Sequence, residues 1–108
     1  MLVVDDDPSL RLLCRVNLEL EGYRVVEAGS VDAAQKALEE EELDVILLDV
    51  HLGNQDGLTL LPAIKEHGRA VALLTGSPGV HLPDGETVIG KPFSIDELSE
   101  TVRRLAGS

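Results

Sequence analysis

Hydrophobic positions along the chain follow two patterns that alternate from the first residues to the last. Short apolar runs predict strands at residues 1–4, 24–27, 44–49, 70–75 and 87–90. Between most of these runs, apolar residues recur every three or four positions, which predicts amphipathic helices at about 8–21, 30–39, 58–67 and 95–105. This alternation of strand and helix is typical of an α/β fold, in which helices cover both faces of a parallel sheet.

The first predicted helix has clear start and stop signals. Asp7 is suited to cap it and Pro8 to occupy its first turn, whereas Gly22 ends it. We assign its inward stripe to Leu10, Leu13, Cys14, Val16 and Leu20. Asp56 is likewise predicted to be a turn or cap residue before the third helix, next to Gly57.

One connection breaks the alternation. The ten residues between Thr75 and Glu86 contain three glycines and two prolines. A crossover between parallel strands needs roughly a dozen residues or more, and glycine and proline are the poorest helix formers. The fourth helix of the pattern is therefore predicted to be shortened or absent.

Composition excludes several classes of protein. Nine basic residues against twenty acidic residues give a net charge of −11, which argues against direct contact with nucleic acid. No apolar run approaches the length that spans a membrane, and no leader-like segment precedes the first strand, so we expect a cytoplasmic protein without membrane insertion. Cys14 is the one cysteine, which excludes an internal disulfide and predicts an inert core thiol.

Polar residues stand where the predicted strands end: Asp5, Asp6, Asp49, Thr75 and Lys91. The carboxyl ends of parallel strands meet at one edge of a sheet, so we expect these side chains to converge there. Three carboxylates at close range repel one another, and a hard divalent cation relieves that repulsion. Mg²⁺ is the expected cofactor, with Mn²⁺ as a possible substitute. A carboxylate nucleophile, a cation, an ammonium group and a hydroxyl are what phosphoryl transfer onto an aspartate requires.

Four motifs resemble the receiver domain of the response regulators of bacterial two-component systems. They are Val-Val-Asp5-Asp6-Asp7-Pro8, Leu-Leu-Asp49-Val-His-Leu-Gly-Asn-Gln-Asp56-Gly57, Leu-Leu-Thr75-Gly and Lys91-Pro92-Phe93. The resemblance covers the whole chain, so we expect a single receiver domain over residues 1–108, with no effector domain. It implies a flavodoxin-like, doubly wound sheet of five parallel strands in the order 2-1-3-4-5.

The resemblance also implies roles for single residues. Asp49 would be the phospho-acceptor, taking a phosphoryl group from the phosphohistidine of a sensor histidine kinase or phosphotransfer protein. Asp5, Asp6, Asp49 and the backbone carbonyl of His51 would bind Mg²⁺. The protein would promote its own phosphorylation and dephosphorylation without a separate substrate, which leaves its standing as an enzyme open, and would signal by binding an unknown downstream protein.

Further roles concern the phosphoryl group itself. Thr75 and Lys91 would contact its oxygens, and the Lys91–Pro92 peptide bond would be cis. His51 and Ser77 occupy positions where, in the family, side chains tune how fast water reaches the phosphate. A solvated loop histidine is an equal interpretation of His51.

Two departures from the family fall on one surface. The family's switch aromatic lies in the last strand, three residues before the lysine, and Val88 occupies that position here. The shortened fourth helix belongs to the same face. We therefore expect an atypical output face, or a signal that leaves through another face.

Two other functions remain open at the level of sequence. A phosphorylation-independent interaction module could keep the acidic cluster without using it. A phosphatase of the haloacid-dehalogenase kind would use Asp5 as its nucleophile, although the residues after Asp7 differ from that pattern and the chain has no room for a substrate cap. The residue that becomes phosphorylated distinguishes these possibilities.

Overall fold

A five-stranded parallel sheet forms the centre of the computed structural model, which describes residues 1–66, 68–76 and 82–107. The strands are β1 (Leu2–Val4), β2 (Val26–Ala28), β3 (Val45–Asp49), β4 (Ala70–Thr75) and β5 (Thr87–Gly90). Their spatial order is β2-β1-β3-β4-β5, and every neighbouring pair is parallel. The predicted flavodoxin-like fold and the strand order 2-1-3-4-5 are confirmed.

Four α-helices flank this sheet in the described part of the chain: α1 (Pro8–Leu20), α2 (Val31–Glu40), α3 (Leu61–Glu66) and α4 (Ile95–Ala106). A 3₁₀ turn, Gly57–Leu60, leads into α3. Residues 76 and 82–86, the described part of the connection from β4 to β5, contain no helix, so the predicted loss of the fourth helix is confirmed there. No helix among the described residues is long and apolar enough to cross a bilayer.

Polar side chains hold the starts of α1 and α4. The Asp7 carboxylate accepts hydrogen bonds from the backbone N–H groups of Ser9 and Leu10, which satisfies two donors that the first turn of α1 leaves free. Ser94 accepts in the same way from the N–H of Glu97 at the start of α4. These caps fix where each helix begins after the strand edge.

The core lies in two layers on opposite faces of the sheet. Along β3 all five residues are buried, and alternate side chains point to opposite faces. Ile46 and Leu48 pack in the layer that contains residues of α2 and α3, whereas Val45 and Leu47 pack in the layer that contains residues of α1 and α4. Burial on both faces explains why this strand has no polar alternation.

The inward stripe predicted for α1 is partly wrong. Cys14 and Leu18 are the buried residues of this helix, whereas Leu13, Val16 and Leu20 are exposed. The helix carries apolar side chains on two opposite faces, so periodicity alone does not decide which stripe packs on the sheet. Cys14 is a core thiol as expected, and burial raises its pKa to about 11, so it stays protonated at neutral pH.

Candidate functional site: an acidic cluster at the carboxyl edge of the sheet

Three aspartates converge where β1 and β3 end. Val4 and Leu48 are paired in the parallel register, so the residues that follow them, Asp5 and Asp49, emerge side by side. Carboxylate oxygens of Asp5, Asp6 and Asp49 all lie within 4.8 Å of one another. Asp5 is fully buried and Asp49 is 4% exposed, whereas Asp6 is exposed. Two acids therefore form the floor of the cluster and one forms its rim.

Backbone donors orient the two buried carboxylates. The Oδ1 atom of Asp5 accepts a hydrogen bond from the N–H of Asp7 at 2.9 Å. The Oδ1 atom of Asp49 accepts one from the N–H of His51 at 3.1 Å. Each bond spans two residues, so each aspartate is held by the chain that immediately follows its own strand.

The rim carboxylate is held from a distant part of the sequence. The Oδ2 atom of Asp6 accepts a hydrogen bond from the N–H of Gly53 at 3.0 Å. Gly53 lies in the turn of a short antiparallel ribbon in which His51–Leu52 pairs with Gln55–Asp56. This bond ties the ribbon, which follows β3, to the loop that follows β1.

Lys91 places its ammonium group between the two buried acids. Its Nζ atom lies 2.8 Å from Oδ2 of Asp5 and 3.1 Å from Oδ2 of Asp49. Burial lowers the pKa of Lys91, but hydrogen bonds to the two carboxylates outweigh this effect and leave the pKa raised. The side chain is therefore a fixed positive charge at neutral pH. The Lys91–Pro92 peptide bond is cis, as the resemblance implied.

The electrostatics of the cluster bear most heavily on Asp49. Burial raises its pKa, and the neighbouring charge of Asp5 raises it further, while the N–H of His51 and the ammonium of Lys91 oppose these effects. The net result is a raised pKa, which means that the ionised form is disfavoured relative to a carboxylate in water. A further cation at the cluster would relieve this penalty.

The loop after β3 lies against the backbone of the strand end. The N–H of Gly57 donates to the carbonyl of Val50 at 2.7 Å, and a Cβ atom on Gly57 would lie only 2.0 Å from the carbonyl oxygen of Asp49. Asp56 caps the following turn by accepting from the N–H of Leu58 at 2.9 Å, which confirms the predicted cap. The loop can follow this path only with glycine at position 57.

One supporting residue was missed by the sequence reasoning. The Nη1 atom of Arg11 donates to the backbone carbonyl of Asp5 at 2.7 Å, and its Nε atom donates to Glu27 at 3.1 Å. A Cβ on Gly29 would lie 2.9 Å from the same Nη1 atom. The sequence held one signal for this contact: α1 carries an arginine one residue from its core-facing stripe, and the predicted second strand ends in a glutamate. The contact secures the end of β1 against β2.

The remaining predicted site residues are distributed around the cluster. Thr75 ends β4, and its carbonyl accepts from the N–H of Lys91 at 2.7 Å. His51 is exposed in the ribbon, and Val88 lies on β5 with 44% of its surface exposed. Ser77 lies outside the described residues. The structure thus brings Asp5, Asp6, Asp49 and Lys91 into one cluster.

This arrangement fits a hard divalent cation. The donor set consists of three carboxylates, which are the ligand type that Mg²⁺ prefers, and one of them is accessible to solvent. A groove of about 770 Å³ lies elsewhere, between α2 and α3 near Arg69, at the amino-terminal edge of the sheet. Because Asp6 is exposed, a group presented from outside can reach the acidic cluster from its rim.

Known proteins resemble this chain both in sequence and in structure. The sequence profile described as "Response regulator receiver domain" matches residues 1–103. The probable transcriptional regulatory protein TcrX of Mycobacterium tuberculosis is 34% identical over 113 residues, which cover 97% of this chain and 48% of that protein. The chain therefore spans about half the length of this curated relative.

Two solved structures resemble the whole fold. The receiver domain of NtrX from Brucella abortus superposes with a TM-score of 0.87 at 29% identity, covering 99% of this chain and 98% of that chain. The response regulator protein TrrA of Thermotoga maritima, solved in complex with Mg²⁺ and BeF, superposes with a TM-score of 0.84 at 29% identity, covering 96% of each chain.

Proposed function

Because the chain belongs to the response regulator receiver domain family, we propose that it accepts a phosphoryl group on Asp49 in a Mg²⁺-dependent reaction. The observation that carries this proposal is the Lys91 ammonium, which lies between the two buried carboxylates of Asp5 and Asp49. A cluster of three acids needs that charge, and we propose that the same ammonium contacts the oxygens of the transferred phosphoryl group.

The transfer balances with a phosphohistidine donor. A carboxylate oxygen of Asp49 forms a bond to phosphorus as the P–N bond of the donor breaks, and the released imidazole nitrogen is protonated. Asp5, Asp6, Asp49 and the backbone carbonyl of His51 would hold the divalent cation, which would supply positive charge to offset the repulsion between the acids and the phosphoryl group. Lys91 stabilises the charge that builds up on the phosphoryl oxygens, and the hydroxyl of Thr75 donates to them.

Asp49 is a better acceptor than Asp5, which the haloacid-dehalogenase alternative would use. The Asp5 side chain is 1% exposed, whereas that of Asp49 is 6% exposed. Asp49 also has the longer contact with the lysine ammonium, 3.1 Å against 2.8 Å. A donor that approaches from outside the sheet edge therefore meets Asp49 first.

Partners follow from the same reaction. Receiver domains interact with histidine kinases or phosphotransfer proteins, and we propose that one of these donates the phosphoryl group here. For the output, Val88 is exposed on β5, beside a connection whose described residues contain no helix. We propose that the downstream protein recognises a surface unlike the usual one.

His51 and Ser77 are proposed to tune the lifetime of the phosphoryl group, and Mn²⁺ is proposed to replace Mg²⁺.

The dependence on metal is the first expected result. Incubation with acetyl phosphate and Mg²⁺ is expected to add the mass of one phosphoryl group to the intact protein, because the cation offsets the charge that opposes transfer. The same incubation with EDTA is expected to leave the mass unchanged. Asp6→Asn removes the accessible ligand and is expected to require more Mg²⁺ for the same yield. A wild-type protein that gains no phosphoryl group with Mg²⁺ would favour the phosphorylation-independent interaction module.

A further inference from the structure

The guanidinium of Arg11 supports the end of β1 from the side. Its Nη1 atom donates to the carbonyl of Asp5 at 2.7 Å, and its Nε atom donates to Glu27 of β2 at 3.1 Å. The side chains of Arg11 and Glu27 are only 20% and 23% exposed, so their ion pair is partly shielded from water and salt. Arg11 is therefore held between the strand that leads into Asp5 and the neighbouring strand.

This contact takes the place of a backbone hydrogen bond that the sheet does not make. The N–H of Asp5 donates to the carbonyl of Ala28 at 3.1 Å, at the point where β1 and β2 stop pairing. A parallel ladder would continue with a bond from the N–H of Ser30 to the carbonyl of Asp5, but Ser30 leaves the strand to cap α2. In the described part of the chain, the donor that satisfies this carbonyl is Arg11.

The Asp5 carbonyl belongs to the peptide group that joins Asp5 to Asp6. A peptide group is planar, so a donor that fixes the carbonyl also fixes the direction in which the chain enters Asp6. Both side chains belong to the acidic cluster, whose carboxylate oxygens lie within 4.8 Å of one another. Mg²⁺ demands nearly ideal octahedral geometry, so a change in the relative direction of two ligands weakens its binding.

We propose that Arg11 is a positioning residue for metal binding: it holds the peptide between Asp5 and Asp6 in the orientation that lets both carboxylates bind one divalent cation. The inference rests on the proposed Mg²⁺-dependent function, and it adds a residue that does not itself touch the ion. Supporting contacts of this kind change metal affinity by about tenfold or more when they are removed.

Charge and geometry predict opposite effects for the loss of Arg11. Removing its positive charge makes the surroundings of the acidic cluster more negative, which by itself strengthens the attraction for a cation. Removing its hydrogen bond loosens the peptide between two ligands, which weakens the binding of that cation. A weaker affinity in Arg11→Met therefore reports the hydrogen bond and not the charge.

Titration of the whole chain with Mg²⁺, followed by two-dimensional proton–nitrogen NMR, measures this effect. Arg11→Met is expected to raise the Mg²⁺ dissociation constant by about tenfold and to shift the amide resonance of Asp6 before any metal is added. Arg15→Met is the matched control, because Arg15 lies one turn later on α1 and pairs with Glu27 and Glu19 instead of the strand end. It removes the same charge and is expected to leave the dissociation constant unchanged or slightly lower.

Gly29→Ala displaces the same guanidinium without changing any charge. A Cβ on Gly29 would lie 2.9 Å from Nη1 of Arg11, and Gly29 has no positive φ, so alanine suits the backbone there. The free end of the arginine is expected to move, which raises the dissociation constant by a smaller factor than Arg11→Met does. Arg11→Lys is expected to fall between wild type and Arg11→Met, because one ammonium lacks the fork that reaches both the carbonyl and Glu27.

Urea unfolding of the metal-free proteins separates positioning from structural support alone. If Arg11→Met were less stable than wild type but bound Mg²⁺ equally well, the proposal would be overturned. It would also be overturned if Arg15→Met weakened binding as much as Arg11→Met. Should Arg11→Met fail to fold, Gly29→Ala and Arg11→Lys provide the same comparison. A wild type that binds no Mg²⁺ would overturn the proposed metal dependence as well, so the two failures are distinguishable.

Discussion

Replacing Gly57 by alanine is expected to lower the free energy of unfolding by about 3 kcal/mol, a large effect for the addition of one methyl group. The new Cβ would lie 2.0 Å from the carbonyl oxygen of Asp49 and 3.2 Å from that of Val50. Both neighbours are backbone atoms, so no side chain can rotate away. Relief requires the loop to move off the end of β3, which also displaces the main chain that carries Asp49.

Urea unfolding followed by circular dichroism measures this effect. Gly90→Ala is the matched control, because Gly90 has no positive φ and no atom within 4 Å of a Cβ placed on it. Gly90→Ala is expected to change the free energy of unfolding by less than about 1 kcal/mol. If Gly57→Ala were as stable as Gly90→Ala, the close approach between this loop and β3 would be refuted.

Replacing Lys91 by methionine is expected to cost about 3 kcal/mol or more of stability at neutral pH. The ammonium forms hydrogen bonds with Asp5 and Asp49, two buried carboxylates. Without it, both negative charges remain in a desolvated site with no cation beside them. Methionine keeps much of the side-chain volume, so the loss reports charge rather than packing.

The stability lost in Lys91→Met is expected to depend on pH. Because the pKa of Lys91 is raised, its stabilisation is fully present below the ordinary value of 10.5 and is lost only as pH rises through the raised value. Because the pKa of Asp49 is also raised, this carboxyl takes up a proton earlier than usual as pH falls. The deficit of Lys91→Met is therefore expected to be largest at neutral pH and to shrink towards acid pH.

A surface lysine provides the control for that measurement. Lys65 pairs with Glu86 but is half exposed, and Lys65→Met is expected to cost less than about 1 kcal/mol at any of these pH values. Urea unfolding of both variants at pH 7 and at acid pH gives the comparison. Equal losses for Lys65→Met and Lys91→Met at pH 7 would contradict the buried bridge.

The sheet and the acidic cluster could be predicted because two simple constraints fix them. A run such as Val45–Leu48 has no polar alternation, which is typical of a central strand covered on both faces. Once β1 and β3 are neighbours, parallel register places Asp5 and Asp49 together. The absence of a helix from residues 76 and 82–86, the described part of the fourth connection, followed from the glycine and proline content of residues 76–85.

The details that the sequence did not predict depend on packing across elements. For α1, two apolar stripes compete for the core, and Leu18 rather than Val16 packs on the sheet. The hydrogen bond from Arg11 to the Asp5 carbonyl joins residues whose proximity only the fold determines. In the sequence, Gly57 was noted only as the neighbour of Asp56, and its close approach to the backbone of Asp49 could not be derived from the local pattern.

Identification of the modified residue tests the central claim most directly. Intact mass would be measured after incubation with acetyl phosphate and Mg²⁺ for wild type, Asp49→Asn and Asp56→Asn. Asp56 is the matched control, because it lies in the same loop and caps the next turn through the N–H of Leu58. We expect one phosphoryl group on wild type and on Asp56→Asn, and none on Asp49→Asn. A phosphoryl adduct that persists in Asp49→Asn, or that maps to Asp5 in wild type, would contradict the assignment.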